Sequence, residues 1–182
     1  MLIGDLGEAA LLKELRALFA AADPDLPTGI GDDAAVINYP VGAQGVWTTD
    51  LLLEGIHFKK AWQSPNQLGR KSLTVNLSDI ASMGATPRFA LLSLACPPAT
   101  SLDYILEFCR GFAAMAAETG VVVIGGDTTA SADGITISVT LGGYIPKGDA
   151  ILRSGAKVGD AILVTGFLGS ATAGLRLLRD AR

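Results

Sequence analysis

The chain has 182 residues, 49% of them apolar and 18% charged, enough for one sizeable core and too apolar for a disordered segment. A formal net charge of -4 excludes the basic face that a nucleic acid or an acidic membrane surface requires. Two cysteines, Cys96 and Cys109, are too few and too separated for a metal knuckle, and in a reducing compartment they are expected to remain free thiols in the core.

The opening "MLIGDLGEAALLKELRALF" lacks the basic start and unbroken apolar centre of a signal peptide, and no apolar stretch reaches membrane-span length, so a cytoplasmic protein is expected. Leu11, Leu12, Leu15, Leu18 and Phe19 recur at helical spacing and predict a helix from Asp5 to Ala22, ended by the prolines of "DPDLPTG". Ala34 to Asn38 and Gly45 to Leu53 are predicted as strands joined by "YPVGAQ". Ser64 or Asn66 can cap a helix running to about Met83, where Gly84 and Pro87 stop it.

Phe89 to Ala95 is predicted as a buried strand, and Ser101 to Thr119 as a helix closed by Gly120. "VVVIGG" and "GITISVTLGGYI" predict two further strands around a turn, "DTTASADG". The fold class expected is α+β, a mixed sheet with helices packed on one face in two layers. A boundary is expected near "PKGDAILRSGAKVGD", giving a first domain over residues 1–148 and a second unit over 149–182. Within the latter, "AILVTGFLGSATAGLRLL" predicts a strand, a glycine loop and a helix, too little to enclose a core alone.

Aspartates recur where apolar runs end: Asp32 and Asp33 in "GIGDDAAVI", Asp50 in "WTTDLLLEGIHF", Asp79 in "VNLSDIASMGA" and Asp127 in "VIGGDTTAS". Each taken singly fits a turn or helix cap. As a group they carry more, because Thr-Thr-Asp and Gly-Gly-Asp-Thr-Thr set a carboxylate beside hydroxyls and bare backbone, as a phosphate and its metal ions require. With one histidine and no cysteine cluster, the donor set is hard oxygen, which favours magnesium over zinc. No G-x-x-x-x-G-K-[ST] is present, and the G-x-G-x-x-A match at Gly29, Gly31 and Ala34 lies after a prolyl loop, outside the strand-turn-helix context of a dinucleotide site.

"GIGDDAAV", "TTD" followed by "EGIHF", "KSLTVNLSDIASMGATP", "VIGGDTT" and "LRSGAKVGD" resemble, in order and at similar spacing, the thiamine-monophosphate kinase family. That family belongs to a superfamily with aminoimidazole ribonucleotide synthetase, selenophosphate synthetase and a hydrogenase maturation protein. The resemblance implies an N-terminal domain of the aminoimidazole ribonucleotide synthetase type that binds ATP and several Mg2+ ions and pairs with a second copy as a homodimer. The start of a C-terminal α/β domain would follow. It also implies phosphorylation of thiamine monophosphate to thiamine diphosphate. Carried over by motif, Asp33 would bind magnesium with Asp32 beside it, Thr48, Thr49 and Asp50 would add metal ligands, and Asp79 would bridge metals. Gly126 would let the nucleotide approach the backbone, Asp127 would hold the metal on its phosphates, Arg153 would contact ATP, and His57 would face thiamine monophosphate.

The chemistry agrees with the composition. A phosphate monoester, with a second pKa of about 6, is already a ready nucleophile near neutral pH, so no strong general base is needed. Metal ions held by carboxylates would offset repulsion between donor and acceptor, giving direct in-line transfer without a phosphoenzyme. Two alternatives stand beside this: another ATP-using member of the superfamily, of the aminoimidazole ribonucleotide synthetase or selenophosphate synthetase type, or a non-catalytic nucleotide-binding or dimerisation module.

Overall fold

The computed structural model describes residues 1–180, which divide into a compact unit, Met1–Ile151, and a second unit beginning at Leu152. The first unit contains α1 (Ile3–Leu6), α2 (Glu8–Phe19), β1 (Ala43–Leu53), α3 (Pro65–Ser82), β2 (Thr86–Cys96), α4 (Leu102–Thr119), β3 (Val122–Ala130) and β4 (Thr136–Pro146). The four strands form one sheet in the order β1-β4-β2-β3, antiparallel except for the β2/β3 pair. The expected mixed sheet is therefore present. A helix between β2 and β3 is the crossover that a parallel pair needs.

Helices α3 and α4 lie together on one face. The start of α3 is fixed by a capping box, in which Ser64 Oγ accepts from the Gln67 N–H at 3.2 Å and Gln67 Oε1 accepts from the Ser64 N–H at 2.9 Å. Two glycines let the helices meet closely: a Cβ on Gly69 would strike the Phe108 carbonyl, and one on Gly111 the Asn66 carbonyl. Around that contact Leu68, Leu73, Ile105, Phe108 and Phe112 close over Ala90, Leu92, Ile137, Val139 and Leu141 of the sheet. Buried Ser72 and Asn76 donate to the carbonyls of Leu68 and Ser72, one turn back along α3, at 2.8 and 3.1 Å. Neither donor goes unpaired.

Strand alternation then sorts the remaining residues. In β1, Val46 and Leu52 pack into the core and Thr48 bonds to α3, whereas Trp47, Thr49 and Leu51 are exposed on the opposite, open face. Trp47 lies across Gly142, where a Cβ would come within 2.6 Å of the indole.

Four expectations are corrected. The first helix is broken at Gly7, whose φ of 78° is open to glycine, and it ends at Phe19 rather than Ala22. Ala34–Asn38 is not a sheet strand: it forms only an isolated bridge from Val36 to Thr28, inside the loop between α2 and β1. Strand β3 does not stop at Gly126 but runs on through Asp127 to Ala130, paired with Ser93 to Cys96 of β2. In the second unit, no strand forms over the apolar run from Ala161, and a helix, α5 (Ser170–Asp180), follows a 3-10 turn at Arg153–Gly155. None of the residues of these two elements is buried.

Candidate functional site

A cleft of about 730 Å3 opens between α2, the loop at Ile30–Ile37, the β3 edge of the sheet and its open face. Four separate segments deliver its polar lining. Asp32 and Asp33 come from the loop, Gly125, Gly126 and Asp127 from β3, Ser93 from β2 and Thr140 from β4. Parallel pairing sets Ser93 directly beside Asp127. An apolar wall of Leu12, Leu15, Phe19, Ile30 and Leu91 stands beside these groups.

The cleft is anionic: Glu8, Asp32, Asp33 and Asp127 line it together with one cationic side chain, Arg16. Such a surplus of carboxylate in a concave site attracts cations. Asp32 Oδ1 accepts the Asp33 N–H, and Asp127 Oδ1 the Thr128 N–H, each at 2.9 Å. In each carboxylate the second oxygen remains for a ligand.

These groups also test the fit of magnesium. Apart from Arg16 and the Trp47 indole, the polar side chains lining the cleft carry hard oxygen donors, as Mg2+ prefers. Among the described residues, no three His, Cys, Asp or Glu side chains cluster as a ready-made metal cage. Mg2+ does not need one, since it is commonly held by one or two carboxylates with waters and substrate phosphates completing the shell. The donor set fits the ion in company with a polyphosphate.

The other residues singled out in the sequence lie elsewhere. Thr48 Oγ1 donates to Asp79 Oδ2 at 2.7 Å, joining β1 to α3 on the helical side of the sheet. Asp50, two residues further along β1, shares the parity of Thr48 and is half-buried. Thr49, on the open face, donates to the Val139 carbonyl at 3.1 Å and accepts from Thr140 Oγ1 at 3.1 Å, so it is one hydrogen bond away from the cleft lining. Thr48, Asp50 and Asp79 do not line the cleft.

His57 sits in the exposed turn after β1. Its Nδ1 accepts the Leu53 N–H at 3.0 Å, which leaves Nε2 as the free nitrogen, and its carbonyl accepts from Lys71 Nζ at 2.8 Å. Arg153 opens the 3-10 turn of the second unit and is exposed.

Gly126 has a reason for being glycine besides ligand access. A Cβ there would overlap the Leu92 carbonyl oxygen of the neighbouring strand. Sequence reasoning missed Ser93, Thr140 and Arg16. For Ser93 a signal existed, a hydroxyl within the apolar run "ALLSLAC", but its place beside Asp127 follows only from the strand register.

Residues 31–145 match the family described as AIR synthase related protein, N-terminal domain. A thiamine-monophosphate kinase of Bacillus subtilis is 45% identical over 152 residues, which cover 84% of this chain and 47% of the relative. The crystal structure of thiamine-monophosphate kinase from Stenotrophomonas maltophilia superposes with a TM-score of 0.82 at 40% identity, over 94% of this chain and 52% of that one. A structure of AaThiL complexed with AMPPCP and TMP superposes with a TM-score of 0.73 at 33% identity, over 100% of this chain and 55% of that one. The chain thus spans about half the length of the relatives it matches.

Proposed function

The chain belongs to the AIR synthase related family, whose N-terminal domain it carries, and from that premise we propose that it acts in the ATP-dependent phosphorylation of thiamine monophosphate to thiamine diphosphate. One observation carries the proposal. Asp32 and Asp33 from an irregular loop, and Asp127 from β3, face a single cleft with glycine backbone and hydroxyls at its floor. The named relatives and the neighbour bound to AMPPCP and TMP support the choice of reaction.

In this reading Asp33 and Asp127, with Asp32 adjoining, would hold magnesium against the nucleotide phosphates. When bound, Mg2+ would neutralise the donor's charge and favour in-line transfer to the acceptor phosphate. The chain's own groups do the rest. The hydroxyls of Ser93 and Thr140 offer hydrogen bonds to phosphate or bound water, and the apolar wall of α2 and Ile30 accepts a flat base. Thr48, Asp50 and Asp79 form a second oxygen-rich group along β1 and α3, and Thr49 stands on the open face beside Thr140; all four are assigned to further metal ions. His57, with Nε2 free, is assigned to the acceptor, and Arg153 is assigned to ATP on its motif alone. No side chain is asked to remove a proton, because the acceptor phosphate is largely dianionic near neutral pH.

A second copy of the chain is part of the proposal. Strand β1 is the outer strand of the sheet, and Trp47 and Leu51 stand about half exposed on its open face. Such an edge invites pairing.

The test is product analysis with ATP, Mg2+ and thiamine monophosphate, together with calorimetric titration of AMPPCP in the presence and absence of Mg2+. Thiamine diphosphate and ADP are expected in equal amounts, with AMPPCP binding that requires the ion. Absence of Mg2+-dependent AMPPCP binding would overturn the assignment of the cleft, and ATP turnover without thiamine diphosphate would overturn the acceptor.

A further inference from the structure

The segment carrying Asp32 and Asp33 has little regular structure of its own. Between Phe19 and Ala43 the loop is closed by the Thr28–Val36 bridge, with N–H to carbonyl distances of 3.4 and 2.8 Å, and by the Asn38 N–H donating to the Asp25 carbonyl at 2.8 Å. These bonds join the loop to itself. Its charged tie to the sheet comes from a residue remote from the acidic motifs. Arg88 in β2 places Nη2 at 2.8 Å from both carboxylate oxygens of Asp23 and 3.3 Å from Asp25 Oδ2, while Nη1 donates to the Gly120 carbonyl at 3.3 Å.

The tie is sheltered. The Arg88 and Asp23 side chains are 19% and 10% exposed, and the guanidinium lies over the Phe89 ring at 5.4 Å from its centroid. A guanidinium in this setting fixes direction as well as charge, because its planar fork engages several acceptors at once. Asp23 and Asp25 begin the loop that leads to Asp32 and Asp33, and Gly120 ends α4 just before β3, which carries Gly126 and Asp127. One side chain is bonded to the roots of both acidic walls of the cleft.

We infer that Arg88 is a positioning residue: by clamping Asp23 and Asp25 to β2 and to the end of α4, it holds Asp32 and Asp33 across the cleft from Asp127. This inference rests on the reading of the cleft as a magnesium and nucleotide site. It assigns Arg88 no contact with substrate.

The test compares the full chain with Arg88→Met, which keeps an apolar stem on Phe89, with Arg88→Lys, which keeps the charge but not the fork, and with Asp23→Asn. Amide exchange over residues 26–38 is expected to quicken by about tenfold in Arg88→Met while residues 137–141 of β4 exchange as before. The Kd for AMPPCP with Mg2+ should rise by about tenfold, with Arg88→Lys intermediate. Asp23→Asn should reproduce both effects with Arg88 untouched, and it keeps the test intact if Arg88→Met fails to fold. Unchanged exchange over 26–38, or quickened exchange with unchanged Kd, would overturn the inference. If the parent chain binds no AMPPCP with Mg2+, the nucleotide reading falls, while the exchange data still decide whether Arg88 holds the loop.

Discussion

Gly125 and Gly126 are neighbours in β3, yet the structure gives them opposite tolerances for a methyl group. At Gly126, where φ is 155°, a Cβ would overlap the Leu92 carbonyl oxygen and lie 2.6 Å from its carbon and 3.0 Å from the Leu92 nitrogen. Strand β2 is held between β3 and β4 and cannot retreat. Forcing the atom in costs about 1–3 kcal/mol as overpacking. The unfavourable backbone conformation adds about 1–3 kcal/mol. A total near 4 kcal/mol, at about 2–4 °C per kcal/mol for a domain of this size, predicts that Gly126→Ala melts about 8–16 °C below the parent. At Gly125 the same atom meets only Leu91 Cδ2 at 3.2 Å, the end of a side chain that can swing aside. Gly125→Ala should melt within about 4 °C of the parent, helped by the lower entropy of its unfolded chain. The assay is thermal unfolding by circular dichroism without nucleotide or metal, so that ligand access has no influence. Equal melting of the two variants would refute the claim that the β2 contact demands glycine at 126.

In the parent, Mg2+ and AMPPCP at about 100 times Kd should add about 2.7 kcal/mol of stability, and Asp33→Asn or Asp127→Asn should abolish that gain in a thermal-shift assay without lowering the unliganded melting temperature. Gly69→Ala and Gly111→Ala should each be strongly destabilising in denaturant titrations, because the added Cβ meets backbone of the facing helix rather than a movable side chain. Burial raises the Cys109 thiol to about 12 and the Cys96 thiol to about 11, so neither should react with a thiol reagent at pH 8 until the protein is denatured. Because both folded values lie above the ordinary value of 9.0, their stabilising effect is complete below about pH 9 and is lost progressively as pH rises from about 9 through the folded values of about 11 and 12, which a denaturation midpoint falling from pH 9 upward would register.

Periodicity and punctuation made the helices and the inner strands legible. The Ser64 cap, Gly84 and Gly120 mark the ends of α3 and α4 because each satisfies a local backbone requirement that needs no distant partner. Ala34–Asn38 misled for the opposite reason. Its apolar residues satisfy the pattern of a strand, but a strand also needs a neighbouring edge, and the edges of this sheet belong to β1 and β3. Conversely "DTTA" has the composition of a turn and is strand, because β2 offers Ser93 to Cys96 as ladder partners for it. Pairing partners lie dozens of residues away in the sequence, so local pattern does not record them.

The acidic residues show the same division at finer scale. Their chemical type was legible, since oxygen donors beside glycine suit magnesium and phosphate wherever the fold places them. Their grouping depends on parity, which composition cannot express. In "WTTD" consecutive side chains alternate between the two sides of the sheet, so Thr48 turns to Asp79 on α3 while Thr49 turns to Thr140 at the cleft. Asp50 follows Thr48, and Asp127 follows Ser93 by register onto the open face. A one-residue slip in either strand would exchange these memberships without altering the composition. The loop with Asp32 and Asp33 has no parity to obey, and this gives the Arg88 clamp its significance. Where the sheet does not dictate the direction of a carboxylate, an ion pair at the base of the loop does.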